Sequence, residues 1–233
     1  MDGKKALRDC FASTLNSNVN ARLQSEMQLK QADKAPGFIA TTLEIVQKDE
    51  DLIVRQSAAV YLKNKVARSW DNPSATDQID DNEKSHFRER ILPAIISSEP
   101  PIRSQLMSVL AKILSHDFPT RWPAFLDITI QLLQSDDINY LYAGVCCLLE
   151  ITRVYRYKIE EKRSGLETVI SSALPLVLEL GSRLCGDSSA QAAEMLHLIF
   201  KSYKCLITVC VFSLIPSNFF SSNCLPYCKN QTH

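Results

Sequence analysis

Glycine is scarce in this sequence, and so is any excess of charge. Six of the 233 residues are glycine, and none falls in the G-x-G-x-x-G or G-x-x-x-x-G-K-[ST] patterns that cradle phosphates. Lys plus Arg number 26, as do Asp plus Glu, so the chain lacks the basic excess typical of nucleic-acid-binding proteins. These absences exclude a recognisable nucleotide loop and argue against direct nucleic-acid binding.

Long apolar runs are also lacking. The first residues, MDGKKALRDCFASTLNSN, carry charges and no apolar segment of the kind a signal peptide has. The apolar stretch at 206–215 is too short to cross a bilayer as a helix. Eight cysteines are present, but Cys10, Cys146, Cys147 and Cys185 stand in helix-like contexts. We therefore expect a reduced, intracellular protein without membrane insertion.

No combination of residues indicates catalysis or metal binding. His86, His116 and His197 are isolated, without a second ligand at i+4 or a nucleophile beside them. One group has a zinc-like composition: Cys210, Cys224, Cys228 and His233. Its first gap of 13 residues argues against zinc. We expect no enzyme activity, no cofactor and no metal.

Helical periodicity is the dominant positive signal. Behind Pro100 and Pro101, one helix face is apolar, at Ile102, Leu106, Val109, Leu110, Ile113 and Leu114. Ser164 and Glu167 form a capping box, in which each side chain satisfies a free backbone amide at a helix start. Sustained alternation with period two is missing before residue 205. The pattern predicts an all-α fold over residues 3–204, with about nine helices.

The spacing of the helices suggests repeats. Short breaks separate them, and the helices that start near residues 52, 100 and 137 are roughly 37 to 48 residues apart, which brackets the HEAT or armadillo period. Helices of this length also fit a compact bundle. We favour a HEAT-repeat α-solenoid of about four to five repeats.

Several strings carry a family resemblance. IVRQSAAVYLKNKVARSW at 53–70 resembles the importin N-terminal domain of the β-karyopherins, and SEMQLKQADKAPGF at 25–38 resembles its first hairpin. SHDFPTRWPAF at 115–125 is similar to a D-[FY]-P-x-R-W element of that family, and YRYKIEEKRSGL at 155–166 to a segment of the importin-seven and importin-eight group. The matching signature residues are Val54, Arg55, Gln56, Tyr61, Leu62, Lys63, Asn64, Asp117, Pro119, Arg121 and Trp122.

The resemblance covers residues 1–204, with the signature segment at about 22–100, and makes the chain look like a truncated member of the importin-β superfamily. It implies a nuclear transport receptor whose N-terminal repeats bind the small GTPase Ran in its GTP form and that takes part in protein import. Nucleoporins and cargo are partners of full-length members, which move between cytoplasm and nucleus through the nuclear pore. The alternative is a helical scaffold without active GTPase binding.

We expect the signature residues to be structural, because solenoid stability depends on contacts between neighbouring repeats. Arg55 should pair with a carboxylate of the adjacent repeat, and Asn64 should cap or bridge to it. Trp122 should pack beneath the adjacent hairpin. Asp117 should cap a helix that begins at Pro119.

A separate expectation concerns the GTPase. If the second helix of each hairpin lines the concave side, Lys84 and Arg88 lie on the polar side of one such helix. Asp127 and Gln131 lie on the next, again at i and i+4. A solvated helix face is the competing interpretation for all four.

Residues 205–233 differ from the rest of the chain. They contain one charged residue, Lys229, and the resemblance stops where they begin. We interpret them as an apolar, cysteine-rich tail outside the family pattern, consistent with read-through into an intron.

Overall fold

The computed structural model describes residues 3–72, 78–156 and 164–214, apart from the side chains of 156, 164–166 and 208–214. Helices account for all regular structure in these residues, which confirms the predicted all-α fold. In chain order they are α1 Gly3–Ser13, α2 Val19–Ala32, α3 Phe38–Lys48, α4 Leu52–Ser69, α5 Asp81–Ser97, α6 Pro100–Asp117, α7 Phe125–Leu133, α8 Ile138–Arg156, α9 Ser164–Leu184 and α10 Ala190–Leu214.

Polar residues just outside the helices define several starts. The side chains of Asn18, Asp51 and Asp80 accept backbone N–H bonds of 2.8–2.9 Å from the first turns of α2, α4 and α5. Such bonds satisfy amides that have no partner within the helix. α6 begins at the predicted proline pair, and α9 begins at Ser164 of the predicted capping box.

The chain divides into two compact units, each described separately. The first consists of residues 1–125 and 135–143. In it α1 pairs with α2, α3 with α4, and α5 with α6, so consecutive helices form hairpins. α3 also packs on α5, and α4 on α6, whereas α1 of the first hairpin packs on both α3 and α4. The residues buried between them include Leu43, Leu62, Ile91, Leu106 and Leu110.

The second unit consists of residues 126–134 and 144–233. Within its described part, α9 packs along α10, with Val169, Ala173 and Val177 buried on α9. Gly144 of α8 lies against the end of α7: a Cβ placed on it would be 3.0 Å from the backbone nitrogen of Leu133. This close approach needs a residue without a side chain.

α10 is longer than predicted. The apolar pattern predicted an end of the helical region at residue 204, whereas α10 continues to Leu214. The β-branched residues after Cys205 have only slightly reduced helix propensity, and the first proline comes at position 216, beyond the helix end. Among the described helices none is long and apolar enough to span a membrane.

Candidate partner-binding surface

A groove separates α2 from α4 in the first unit. Its volume is about 730 Å³, and its apolar lining includes Leu15, Ile53 and Val60. Polar groups of Glu26, Lys30, Asn64 and Arg68 also line it. An open cleft with apolar walls and a few polar groups is a typical binding site for another molecule.

Apolar side chains continue from the groove along α2. Leu15, Val19, Leu23 and Met27 follow one another at intervals of four residues, and each is between 53% and 73% exposed. Spacing of i and i+4 places Val19, Leu23 and Met27 on one face of α2. With Ile53 and Val60 of α4, these four residues form what we call the apolar patch. Contiguous exposed apolar surface marks interaction sites.

The outer face of α4 combines the apolar Ile53 and Val60 with polar side chains, and that of α6 is mostly polar and uncharged. Gln56 and Asn64 are exposed on α4, and Ser104 and Ser108 are exposed on α6. We call the outer faces of α2, α4 and α6 the second-helix surface, because each is the second helix of its hairpin. It is therefore apolar toward α2 and neutral toward α6.

Two signature residues of α4 are buried and one connects hairpins. Val54 and Leu62 are core residues of α4. The Arg55 guanidinium donates to Glu99 over 2.8 Å and to the Val46 carbonyl over 2.7 Å. Glu99 immediately precedes α6, so this ion pair links adjacent hairpins. The pKa of Glu99 is lowered first by its own backbone N–H and then by Arg55.

Other signature residues face the groove. Gln56, Tyr61 and Asn64 all line it, and Lys63 beside them is half-buried. Asn64, which we expected to bridge to the neighbouring repeat, is exposed and has no side-chain hydrogen bond within the described structure. The signature thus contributes to the candidate surface as well as to the core.

The four-residue apolar interval on α2 was a usable signal in the sequence, although we predicted no surface from it.

The residues near the end of α6 form a buried polar cluster. Asp117 is 1% exposed and accepts from Trp70 Nε1 over 3.1 Å and from Arg88 over 2.8 Å. The expected cap was wrong: these donors use the Asp117 side chain, and the next helix begins only at Phe125. Pro119 lies in the intervening turn, after a cis peptide bond.

Arg121 and Trp122 complete this turn. Arg121 donates to Asp71 over 3.1 Å, and this hydrogen bond is the main reason that the pKa of Asp71 is lowered. Trp122 is buried, with its ring 4.7 Å from that of Phe125. Both side chains thus make contacts inside the first unit.

The placement of the GTPase-contact candidates was based on a wrong assumption. Lys84 and Arg88 lie on α5, the first helix of its hairpin. Asp127 and Gln131 lie on α7, the helix before α8. Lys84 pairs with Asp81 and Arg88 with Asp117, and both cations are only about 15% exposed. Asp127 and Gln131 are exposed.

Metal and redox chemistry have no visible site in the described part of the chain. No group of His, Cys, Asp and Glu residues there has the geometry to hold a metal ion. The cysteines described are free thiols, and burial raises the pKa of Cys147 well above its ordinary value.

Comparison with known families identifies the chain's relationship. A model of the importin-beta N-terminal domain matches residues 25–97, and a model described as exportin 1-like protein matches residues 99–231. The chain belongs to the importin-β family. The second match extends into residues 205–231, the segment that we had interpreted as lying outside the family pattern.

The relatives of this importin-β-family chain are much longer proteins. It is 33% identical to nonsense-mediated mRNA decay protein 5 of Saccharomyces cerevisiae over 215 residues, which are 85% of this chain and 20% of that protein. It is 30% identical to human importin-8 over 194 residues, covering 80% of this chain and 19% of importin-8. The chain therefore spans about a fifth of the length of these relatives.

Solved structures confirm the HEAT-repeat solenoid class. The exportin Cse1 in its cargo-free, cytoplasmic state matches with a TM-score of 0.70 and 20% identity, over 88% of this chain and 23% of Cse1. Kap121p bound to RanGTP matches with a TM-score of 0.59 and 15% identity, over 94% of this chain and 18% of Kap121p. The chain forms the N-terminal region of a nuclear transport receptor fold.

Proposed function

We propose that this region binds Ran in its GTP form through the second-helix surface and takes part in protein import into the nucleus. The observation that carries the proposal is the apolar patch, which remains exposed beside a groove lined by the family signature. The patch exposes five large apolar side chains on α2 and α4 and one, Leu15, just before α2. Their exposure to water is unfavourable by about 25 cal/mol per Å² of apolar surface. A protein partner that covers them recovers that energy.

The family relationship supports this choice of partner. A structurally similar receptor has been solved with RanGTP. The importin-beta N-terminal domain matches residues 25–97, which include the second half of α2 and all of α4. No covalent step is needed. Ran and cargo would bind the whole receptor with opposing preferences, so the nucleotide state of Ran would set cargo occupancy. Cargo, nucleoporin contacts and location at the nuclear pore belong to this proposal.

A titration tests the proposal. The full chain is titrated with Ran loaded with GTP and, separately, with GDP, after circular dichroism has confirmed its helical content. We expect binding with a clear preference for the GTP form. In a second arm, Leu23→Asp and Ile53→Asp place charges in the apolar patch and should abolish binding, whereas Ser171→Asp, at an exposed position of α9 outside the second-helix surface, serves as the control.

A helical scaffold without GTPase binding is the second candidate. Exposed apolar surface alone does not distinguish the two, because it suits any protein partner. A folded chain that binds neither nucleotide form of Ran would favour the scaffold and contradict our proposal.

A further inference from the structure

A buried carboxylate joins α2 to α4 beneath the groove. Asp33, the residue that follows α2, is 3% exposed. It accepts from the Tyr61 hydroxyl over 2.8 Å and from Arg68 Nη2 over 2.7 Å, and Lys65 Nζ lies 3.8 Å away. All three partners belong to α4. Charge-assisted hydrogen bonds of this length are the strongest polar contacts in proteins.

Asp33 acts on the groove without lining it. Tyr61 and Arg68 are lining residues, and both are held by the same carboxylate oxygen of Asp33. The Tyr61 ring is fixed as well, since its centroid lies 5.9 Å from that of Phe11 and 5.7 Å from that of Phe38. Burial, followed by the bond to Asp33, raises the pKa of Tyr61, so its hydroxyl keeps its proton as a donor.

In the described structure, α2 has no extensive helix packing on α4. It packs along its hairpin partner α1, where Leu29 and Phe11 are fully buried. Its opposite face carries exposed Leu23 and Met27. The Asp33 cluster is therefore a polar tie between the end of α2 and α4, at the end of the groove.

We propose that Asp33 is a positioning residue of the second-helix surface, which holds α2 against α4 through Tyr61 and Arg68 and so sets the shape of the groove that a partner enters. This inference rests on the proposed function for its partner. The part of the inference that concerns structure, namely that Asp33 holds α2 against α4, is tested independently of Ran.

The decisive variant keeps the buried charge balanced. Asp33→Asn alone leaves Lys65 buried beside a neutral group, so it is expected to destabilise the fold. In the double variant Asp33→Asn/Lys65→Met, both charges disappear, and the melting temperature should remain within about 3 °C of that of the unmodified chain. The matched control is Lys4→Met/Glu44→Gln, which neutralises a half-exposed ion pair away from the groove.

We expect the Asp33/Lys65 double variant to bind GTP-form Ran about tenfold more weakly, the equivalent of one charge-assisted hydrogen bond. Amide hydrogen exchange in α2 should become faster, and the control should show neither change. Should the double variant fold poorly, Tyr61→Phe, which deletes only the hydroxyl donor, replaces it with the same two expectations.

The outcomes separate the two proposals. Unchanged Ran affinity together with unchanged exchange in α2 overturns the positioning role while the proposed function stands. Failure of the unmodified chain to bind Ran overturns the proposed function. In that case exchange in α2 decides this inference: faster exchange in the double variant supports it, and equal exchange contradicts it.

Discussion

Among single residues, Arg55 makes the clearest connection between hairpins. Its guanidinium satisfies the Val46 carbonyl, which lies in the last turn of α3 and has no partner within that helix, and it also pairs with Glu99. Arg55→Ala removes both contacts, and we expect it to lower the free energy of unfolding by about 1–3 kcal/mol. Urea denaturation followed by circular dichroism measures this loss.

The control for Arg55 is an exposed ion pair on α3. Lys48 lies 3.5 Å from Glu44 at i+4, and its side chain is 66% exposed. Lys48→Ala should cost less than about 0.5 kcal/mol, because solvent screens such pairs. Equal losses in the two variants would show that the Arg55 contacts contribute nothing beyond a surface pair.

Glu150 should be a source of instability at neutral pH. It is buried on α8 with Arg153 as its partner, and burial, its largest influence, raises its pKa. When a carboxyl has a higher pKa in the folded state, the free energy of unfolding of the protein falls as the pH rises through that pKa. Glu150→Gln should therefore raise the melting temperature at pH 7. The gain should vanish below about pH 4, where the unfolded carboxyl is also protonated. Thermal denaturation of the unmodified chain and of Glu150→Gln at both pH values tests this expectation.

Residue types predicted some partners and missed others. Arg55 was expected to pair with a carboxylate of the adjacent repeat, and Glu99 is that residue. The prediction was possible because an arginine beside an apolar helix face packs its apolar stem there and extends its guanidinium to a polar partner. The partners of Asp117 and Asp33 could not be read from the sequence. Asp117 accepts from Trp70 and Arg88 only because separate helices have packed together. The same is true of Asp33, which accepts from Tyr61 and Arg68.

Among the helices, contact between α7 and α8 depends on Gly144. A side chain there would come within 3.0–3.1 Å of the Leu132 and Leu133 backbone. We expect Gly144→Ala to destabilise the protein by about 1–3 kcal/mol, because overpacking outweighs the better helix propensity of alanine. Thermal or chemical denaturation measures the change.

Gly181 on α9 is the matched control. It is also helical, but nothing lies within 4 Å of a Cβ placed on it. Gly181→Ala should stabilise the protein by about 0.5–1 kcal/mol through reduced backbone entropy in the unfolded chain. If both substitutions changed the free energy of unfolding in the same direction, close packing at Gly144 would not explain the effect of Gly144→Ala.

Apolar periodicity predicted about nine helices, and the described residues contain ten; their pairing did not follow from it. Periodicity marks which residues of a helix are buried, so α4, α6 and α9 were predicted near their observed positions. It does not say whether a helix comes first or second in its hairpin. For that reason Lys84 and Arg88 were assigned to the wrong helix of the pair. Their contact with the GTPase stays a prediction.

For the whole molecule, the exposed side of the last described hairpin should govern solubility. Leu178 of α9 and Phe200, Tyr203 and Ile207 of α10 are 44–66% exposed, and an apolar cavity of about 140 Å³ lies between the two helices. Repeat arrays require polar terminal faces to stay soluble. Phe200→Lys/Ile207→Lys should therefore raise solubility and reduce light scattering. Helical content should be unchanged, because both side chains already face solvent.

Added charge alone must be separated from removal of apolar surface. Ser171→Lys/Ser182→Lys adds the same two charges at exposed polar positions of α9. We expect it to leave light scattering nearly unchanged, because the apolar side chains of the α9–α10 face remain exposed. The chain has 26 basic and 26 acidic residues, and two added lysines change its net charge by the same amount in either variant. An equal improvement in both variants would attribute the effect to net charge. An improvement confined to Phe200→Lys/Ile207→Lys would identify the α9–α10 face as the surface through which copies of the chain associate.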